Sequence, residues 1–318
     1  MSHPWINPGM GQNIRIPSMK NKKEKRKVSK FSLFCYIGLF PTMFIYFLFR
    51  VIPILETIRI SFYKWSIVGM NNRFIGFDNF YKLFKDKLFI TSFINTTIFT
   101  ILVVSFSFIF SLSLAIMINN RRIEHFSAVY NLIYILPVIT PMVPVALMWK
   151  WIYDPQYGLL NHLLSFFGIT PKAWLVQSDL ALYAIAVLSI WKIVGYYTVI
   201  FLVGLKNIPK EYYDAASIDG AAGWGEFRYI TLPLLRPISL YVLVIAIIQA
   251  YNVFTQVFVM TSDIHGSPGR LVRTIVYDIY ENGLRHFKMG YAAAESIILL
   301  LIVFLATIMV FRILGREK

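Results

Sequence analysis

Apolar residues along this chain gather into six long blocks, near 31–53, 93–118, 127–152, 181–205, 238–260 and 291–314, with shorter polar stretches between them. Each block holds about 20 residues or more, the length at which a helix crosses a hydrocarbon core of ~30 Å. The blocks are apolar at nearly every position, whereas the strands of a membrane barrel alternate apolar with polar residues. The pattern predicts an all-α, polytopic membrane protein with six transmembrane helices. Composition agrees: 57% of the 318 residues are hydrophobic and only 15% are charged, against about a quarter charged in a soluble domain.

Prolines mark where these helices should bend or stop. The first contains Pro41 and is predicted to end at Pro53, with Arg50 near its outer end. The third carries Pro137, Pro141 and Pro144; each removes a helical donor, so a kink is expected, with neighbours needed to satisfy the freed carbonyls. Between the first two blocks, Trp65, Phe74, Phe77, Phe80, Tyr81 and Phe84 suit an interfacial or packed cap. Residues 153–180 read as a loop with a short amphipathic helix (Leu159, Leu160, Leu163, Leu164, Phe167) ended by Gly168, and 261–290 as a Gly/Pro turn followed by an apolar periodic run.

Charge sets the expected orientation. The tail at 1–30 holds Arg15, Lys20, Lys22, Lys23, Lys25, Arg26, Lys27 and Lys30 against the single acid Glu24. Arg121 and Arg122 follow in the loop at 119–126, and Arg312, Arg316 and Lys318 at the other end. With six spans all of these share one side, which the positive-inside rule makes cytoplasmic. The division expected is a basic cytoplasmic tail, 1–30, a six-helix membrane domain, 31–314, and a cytoplasmic C-terminal end, 315–318. The net charge of +15 is read as a topology determinant beside anionic lipid headgroups. No nucleic-acid-binding module accompanies it, and nucleic acid is not an expected partner. Cys35, the lone cysteine, has no internal disulfide partner, and no cleavable signal is expected.

One polar segment, 207–237, interrupts the apolar blocks. It contains EYYDAASIDGAAGWGEFRYITLPLLRP. Asn207 and Pro209 suit a helix start, and Ala215, Ala216, Ala221 and Ala222 favour helix. Ala216, Gly220 and Gly223 fall at i, i+4 and i+7 and would form one smooth stripe against which another surface could pack. Trp224, Phe227, Tyr229 and Ile230 supply anchors, and Pro233 and Pro237 are expected to break the helix before the fifth span.

Polar residues inside spans are expensive and mark candidate solute pathways. In the fifth span Gln249, Asn252 and Gln256 fall at i, i+3 and i+7; in the fourth, Ser189, Lys192 and Tyr196 do the same. Two such stripes could line one cavity, with Trp191, Tyr197 or Tyr251 stacking on sugar rings, or could serve only as hydrogen bonds between helices. Lys192 is expected to pair with Glu295 of the last span; the alternative is that it faces an anionic solute such as a uronate or sugar phosphate. There is no phosphate-binding G-x-x-x-x-G-K-[ST] loop, no His pair at metal-ligand spacing and no hydrolase motif. The chain is read as a transporter that binds no cofactor itself rather than as an enzyme.

The polar segment resembles the EAA signature of ATP-binding-cassette importer permeases: Asp214-Ala215-Ala216, then Gly220, then Ile230-Thr231-Leu232-Pro233 at the family's spacing, with Asp214 where Glu is usual. IWKIVGYYTVIFLVGLKNIPKEYYDAASIDGA resembles the fourth span and loop of maltose-type carbohydrate permeases. GSPGRLVRTIVYDIY and MGYAAAES resemble their G-G-P turn and final span, with Ser267 in place of the second Gly, and GFDNFYKLF at 76–84 their first outer loop. The resemblance implies the type I importer permease fold in the bacterial cytoplasmic (inner) membrane, multi-pass, with both termini cytoplasmic. It implies a second permease subunit, two ATP-binding-cassette ATPase subunits carrying ATP and Mg, and an extracytoplasmic solute-binding protein that delivers a carbohydrate moved by alternating access. A coupling helix within 207–232 would then enter a cleft on an ATPase, with Asp214 facing basic residues at its rim. The alternative is a self-contained secondary transporter or channel, which usually carries an inverted repeat; none is evident in the sequence.

Overall fold

The computed structural model describes residues 30–66, 72–119, 127–221, 223–261 and 272–315. The basic tail before Lys30, the basic loop at 120–126, the Gly/Pro turn at 266–269 and the last three residues lie outside the described residues. The chain divides into two compact units, 1–53 and 54–318.

In the first unit, α1 (Lys30–Tyr46) takes Pro41 into its length and passes into a π-helical turn, Phe47–Val51, in which the Ile52 N–H bonds the Phe47 carbonyl. α2 (Ile52–Ser61) follows, so the helix does not stop at Pro53 as expected. A π turn adds a residue to the turn. That relieves the clash between a proline ring and the carbonyl four residues back, which for Pro53 belongs to the turn itself.

The second unit begins at Ile54, within α2, which gives way after Ser61 to a small antiparallel hairpin, β1 (Tyr63–Lys64) against β2 (Arg73–Phe74). Buried Asn79 of α3 (Asp78–Leu83) donates to the Ser61 and Tyr63 carbonyls at 2.7 and 3.0 Å and fixes the turn into the hairpin. Phe62, Phe77 and Phe80 pack around it. α4 (Lys87–Ile118) starts earlier than the apolar block, because Asp86 caps it by accepting the Leu88 N–H at 2.8 Å.

The third apolar block is two helices, α5 (Ser127–Ile139) and α6 (Met142–Ile152), bent by 113° between Ile139 and Met142. α7 (Leu159–Ser165) sits in the loop that follows, ended by Gly168 at φ +71°. Buried Asn161 holds that loop together, donating to the Asp154, Pro155 and Lys172 carbonyls and accepting from the Lys172 N–H and Trp174 Nε1. α8 (Ser178–Lys206), α9 (Lys210–Ile218) and α10 (Trp224–Glu226) come next. A π turn, Phe227–Thr231, then leads through α11 (Leu232–Leu234) into α12 (Arg236–Tyr251) and α13 (Thr255–Thr261). α14 (Ile275–Tyr280) and α15 (Met289–Leu314) complete the chain. Among the described residues, five helices are long and apolar enough to cross a membrane, and the bent pair α5–α6 makes up to six.

The core lies where α4 packs along α8 and both meet α12. Phe99, Ala115, Ala181, Ile185, Leu188, Tyr197 and Phe201 are buried there, with Phe108 edge-on to Phe201 at 5.3 Å. Small polar residues let these helices approach closely: Thr96, Ser107 and Ser111 are buried and return their hydroxyls to carbonyls one turn back. The closest approach is at Gly195, where a Cβ would lie 1.8 Å from the Tyr134 carbonyl oxygen, so α8 meets α5 backbone to side-chain-free backbone.

Glu295 does not reach Lys192. It is fully buried and accepts from Asn282 Nδ2 at 2.9 Å; Asn282 also donates to Asp278, which pairs with Arg273. Ser92 donates to the same Asp278 carboxylate, and Asn95 takes the Arg273 carbonyl. These contacts tie the start of α4 to α14 and α15. Breaking a buried ion pair from one side leaves the other charge uncompensated. Arg273→Met should therefore lower the stability of the purified protein by about 3–5 kcal/mol, read as an earlier unfolding midpoint in detergent. An unchanged midpoint would show that the pair does not hold this corner of the fold.

Candidate functional site

A cavity of about 360 Å³ opens between α4, α5, α6, α8, α12 and α13, within the range of small-molecule sites (~300–1,000 Å³). Phe99, Val103, Val138, Met142, Ile193, Ala246 and Ala250 form its apolar walls, and Ser189, Lys192, Tyr196, Gln249 and Gln256 its polar face. The two sequence stripes thus meet. Gln256 Nε2 donates to Ser189 Oγ at 3.2 Å, and Gln249 Oε1 accepts from Tyr197 at 3.3 Å.

Tyr251 and Asn252 lie outside this cavity. The i, i+3, i+7 spacing assumed one continuous helix, but α12 ends at Tyr251 and the chain restarts at Thr255. Asn252 is exposed and bonds back to the Ile248 carbonyl at 2.7 Å, while Tyr251 packs with Ile275 and Leu299. The aromatic platforms also go elsewhere. Trp191 packs against Trp149 with the rings tilted at 56° and 5.5 Å apart and faces a separate apolar groove, and Tyr197 is fully buried.

Lys192 has partners that residue-type matching does not suggest. Its Nζ donates to the Pro137 carbonyl at 2.9 Å and to the Thr140 carbonyl at 2.6 Å. In an uninterrupted helix those carbonyls would accept from the N–H groups four residues on, at positions 141 and 144. Both positions are proline and carry no N–H. The ammonium replaces the two missing donors. Thr140 Oγ1 adds a bond to Pro137 O at 2.8 Å. The bend of α5–α6 is therefore closed by a side chain of α8.

The polar segment forms a second site. Asp214 and Ala215 are exposed on α9, while Ala216 is buried. The expected smooth stripe does not form, because the helix ends at Ile218. Gly220 takes φ +78°, the Ala221 N–H returns to the Ala216 carbonyl at 2.9 Å and the Gly220 N–H to Ser217 at 3.3 Å. That is a Schellman stop, which a left-handed glycine allows; Gly223 is left-handed as well, at φ +60°. Tyr213 is hydrogen-bonded to buried Thr231 at 3.3 Å and straps α9 to the returning arm. On that arm Ile230 and Leu232 are half-buried and Pro233 exposed.

Pro233 and Pro237 do not break the chain before α12. The π turn and one turn at Leu235 absorb them, with Leu235 N–H bonding Thr231 O at 2.9 Å and Ser239 N–H bonding Leu235 O at 2.8 Å. Among the described residues, Tyr212, Ile218, Trp224, Tyr229 and Leu234 are large apolar side chains that stand exposed on this segment.

The family model described as "Binding-protein-dependent transport system inner membrane component" matches residues 107–316. The chain is 32% identical to the sn-glycerol-3-phosphate transport system permease protein UgpA of Yersinia pestis, over 89% of this chain and 94% of that one. It is 29% identical to the probable ABC transporter permease protein YurN of Bacillus subtilis, over 89% and 97%. Its fold is similar to a chain of a bacterial alginate ABC transporter solved in complex with an alginate pentasaccharide-bound periplasmic protein, with TM-score 0.78, 25% identity and coverage of 89% and 94%.

The Lys192 contacts make a prediction about folding. Lys192→Met should cost about 1–3 kcal/mol, since it leaves the part-buried Thr140 carbonyl without its donor and the Pro137 carbonyl with only Thr140 Oγ1. Adding Pro141→Ala and Pro144→Ala returns the backbone donors, so the same Lys192→Met change should then cost less. Thermal unfolding of the four combinations in detergent checks this; equal penalties in both backgrounds would separate Lys192 from the prolines.

Proposed function

Because the chain belongs to the family of binding-protein-dependent transport system inner membrane components, and so is a transport component rather than an enzyme, we propose that its solute is a carbohydrate or sugar derivative. The solute is received from an extracytoplasmic binding protein and passes through the cavity at Ser189, Lys192, Tyr196, Gln249 and Gln256. Amide, hydroxyl and ammonium groups against apolar walls suit sugar hydroxyls and ring faces. The alginate assembly and UgpA, whose names carry a polysaccharide and a polyol phosphate, support that solute class.

ATP and Mg act on two partner ATPase subunits, and a second permease completes the pathway. The observation that carries this reading is connectivity. The polar segment joins α8 directly to α12, and those two helices supply most of the polar face of the cavity. A push on α9 reaches the solute through helices that are continuous with it. Asp214 and Ala215 face the ATPase, Ala216 and Gly220 set the shape of the projection, and Ile230, Leu232 and Pro233 carry the movement into α12. Exposed Ile218 and Trp224 support docking here, since apolar surface of this kind on a polar segment marks an interaction site. Both termini and this segment are cytoplasmic, with residues 1–30 and 315–318 flanking the membrane domain of 31–314.

Expression with the genes' partner subunits tests the reading. The complex should co-purify with an ATPase and take up carbohydrate into proteoliposomes only with ATP. Ile218→Asp should reduce ATP-driven uptake about tenfold or more, the equivalent of ~1.4 kcal/mol of coupling, while leaving the chain's own unfolding midpoint in place. Transport by the chain alone, without ATP, would contradict the reading.

A further inference from the structure

The cavity contains a charge that the fold leaves open. Of the helices around it, α4, α5, α6, α12 and α13 hold no Asp or Glu at all, and α8 holds only Asp179. Asp179 is thirteen residues from Lys192 along the same helix, about 20 Å at the usual rise. Among the described residues, no carboxylate pairs with Lys192: its two partners are the neutral carbonyls of Pro137 and Thr140. An ammonium has three protons. Two are committed to the bend, and the residue lines the cavity.

We infer that the Lys192 ammonium is an anion subsite of this cavity, taking a carboxylate or phosphate of the solute on its third N–H. The two carbonyls aim the group before the solute arrives, so little side-chain freedom is lost on binding. They lower the cost of placing a cation in the membrane without neutralising it. An entering oxyanion supplies the missing counter-charge through a charge-assisted hydrogen bond. Ser189, Gln249 and Gln256 remain for hydroxyls on the rest of the solute, and Tyr196 for a ring face or hydroxyl. The subsite therefore selects acidic sugars over neutral ones of the same shape. This inference rests on the carbohydrate reading above and narrows it.

The test uses the purified complex with its partner subunits in nanodiscs, titrated with methyl β-glucuronide, glucose 6-phosphate and neutral methyl β-glucoside. The wild type should bind at least one of the acidic probes about tenfold more tightly than the glucoside, and the two acidic probes distinguish carboxylate from phosphate. Lys192→Arg should keep the preference and Lys192→Gln should remove it. Because Lys192→Gln also loosens the bend, the decisive variant combines it with Pro141→Ala and Pro144→Ala, which restore the backbone donors. Loss of preference with glucoside binding intact supports the subsite. A wild type that binds acidic and neutral sugars equally, or a combined variant that keeps its preference, overturns the subsite and leaves the carbohydrate reading standing. A wild type that binds none of the three overturns both.

Discussion

The ammonium of Lys192 donates to the two backbone carbonyls that Pro141 and Pro144 leave without helical donors, and much of the membrane domain is arranged around that contact. In a bilayer an unpaired carbonyl costs several kcal/mol, and a lone cation is also unfavourable. Here each cost offsets the other. Without the ammonium, a helix bent by 113° would expose bare backbone; without the bend, the ammonium would have no acceptors. The contact also joins α8 to α5–α6, beside the point where Gly195 already brings α8 against the Tyr134 carbonyl. The cavity lies against this junction, with Val138 and Met142 from the two arms of the bend and Lys192 itself in its wall.

The same helix continues toward the other site. From Lys192, α8 runs to Lys206, turns at Asn207–Pro209 into α9, and returns through the strap between Tyr213 and Thr231 to α12, which carries Gln249. One π turn, Phe227–Thr231, and a Schellman stop at Gly220 accommodate these direction changes. On the function proposed above, this segment is where a partner's conformational change would enter and the cavity is where it would act.

Much of the architecture was legible in the sequence because bilayer thickness dictates block length, and the kink of the third span because proline chemistry is local. Ser189, Lys192, Tyr196, Gln249 and Gln256 were found by helical spacing alone and do share a cavity. The failures have one cause each. Lys192 was matched to Glu295 because side chains of opposite sign are visible in a sequence and orphaned carbonyls are not. Counting four residues forward from Pro137 and Thr140 to the next two prolines is the signal that was there to use. Asn252 was assigned to the cavity face because nothing at 252–254 is a helix breaker, yet α12 ends there. The smooth stripe through Ala216, Gly220 and Gly223 assumed that glycine was serving as a small residue in a helix, when at Gly220 and Gly223 it serves for its left-handed backbone.

The contact between Lys192 and the bend is open to direct measurement by the distance between spin labels at Ile133 and Leu147, both exposed and one on each arm. Cys35 is replaced by serine so that only the introduced cysteines react. A straight helix would separate these positions by about 21 Å. In the assembled importer the account predicts a shorter, narrow distance distribution for the wild-type lysine and a broadened one for Lys192→Met. An identical narrow distribution in both would contradict it.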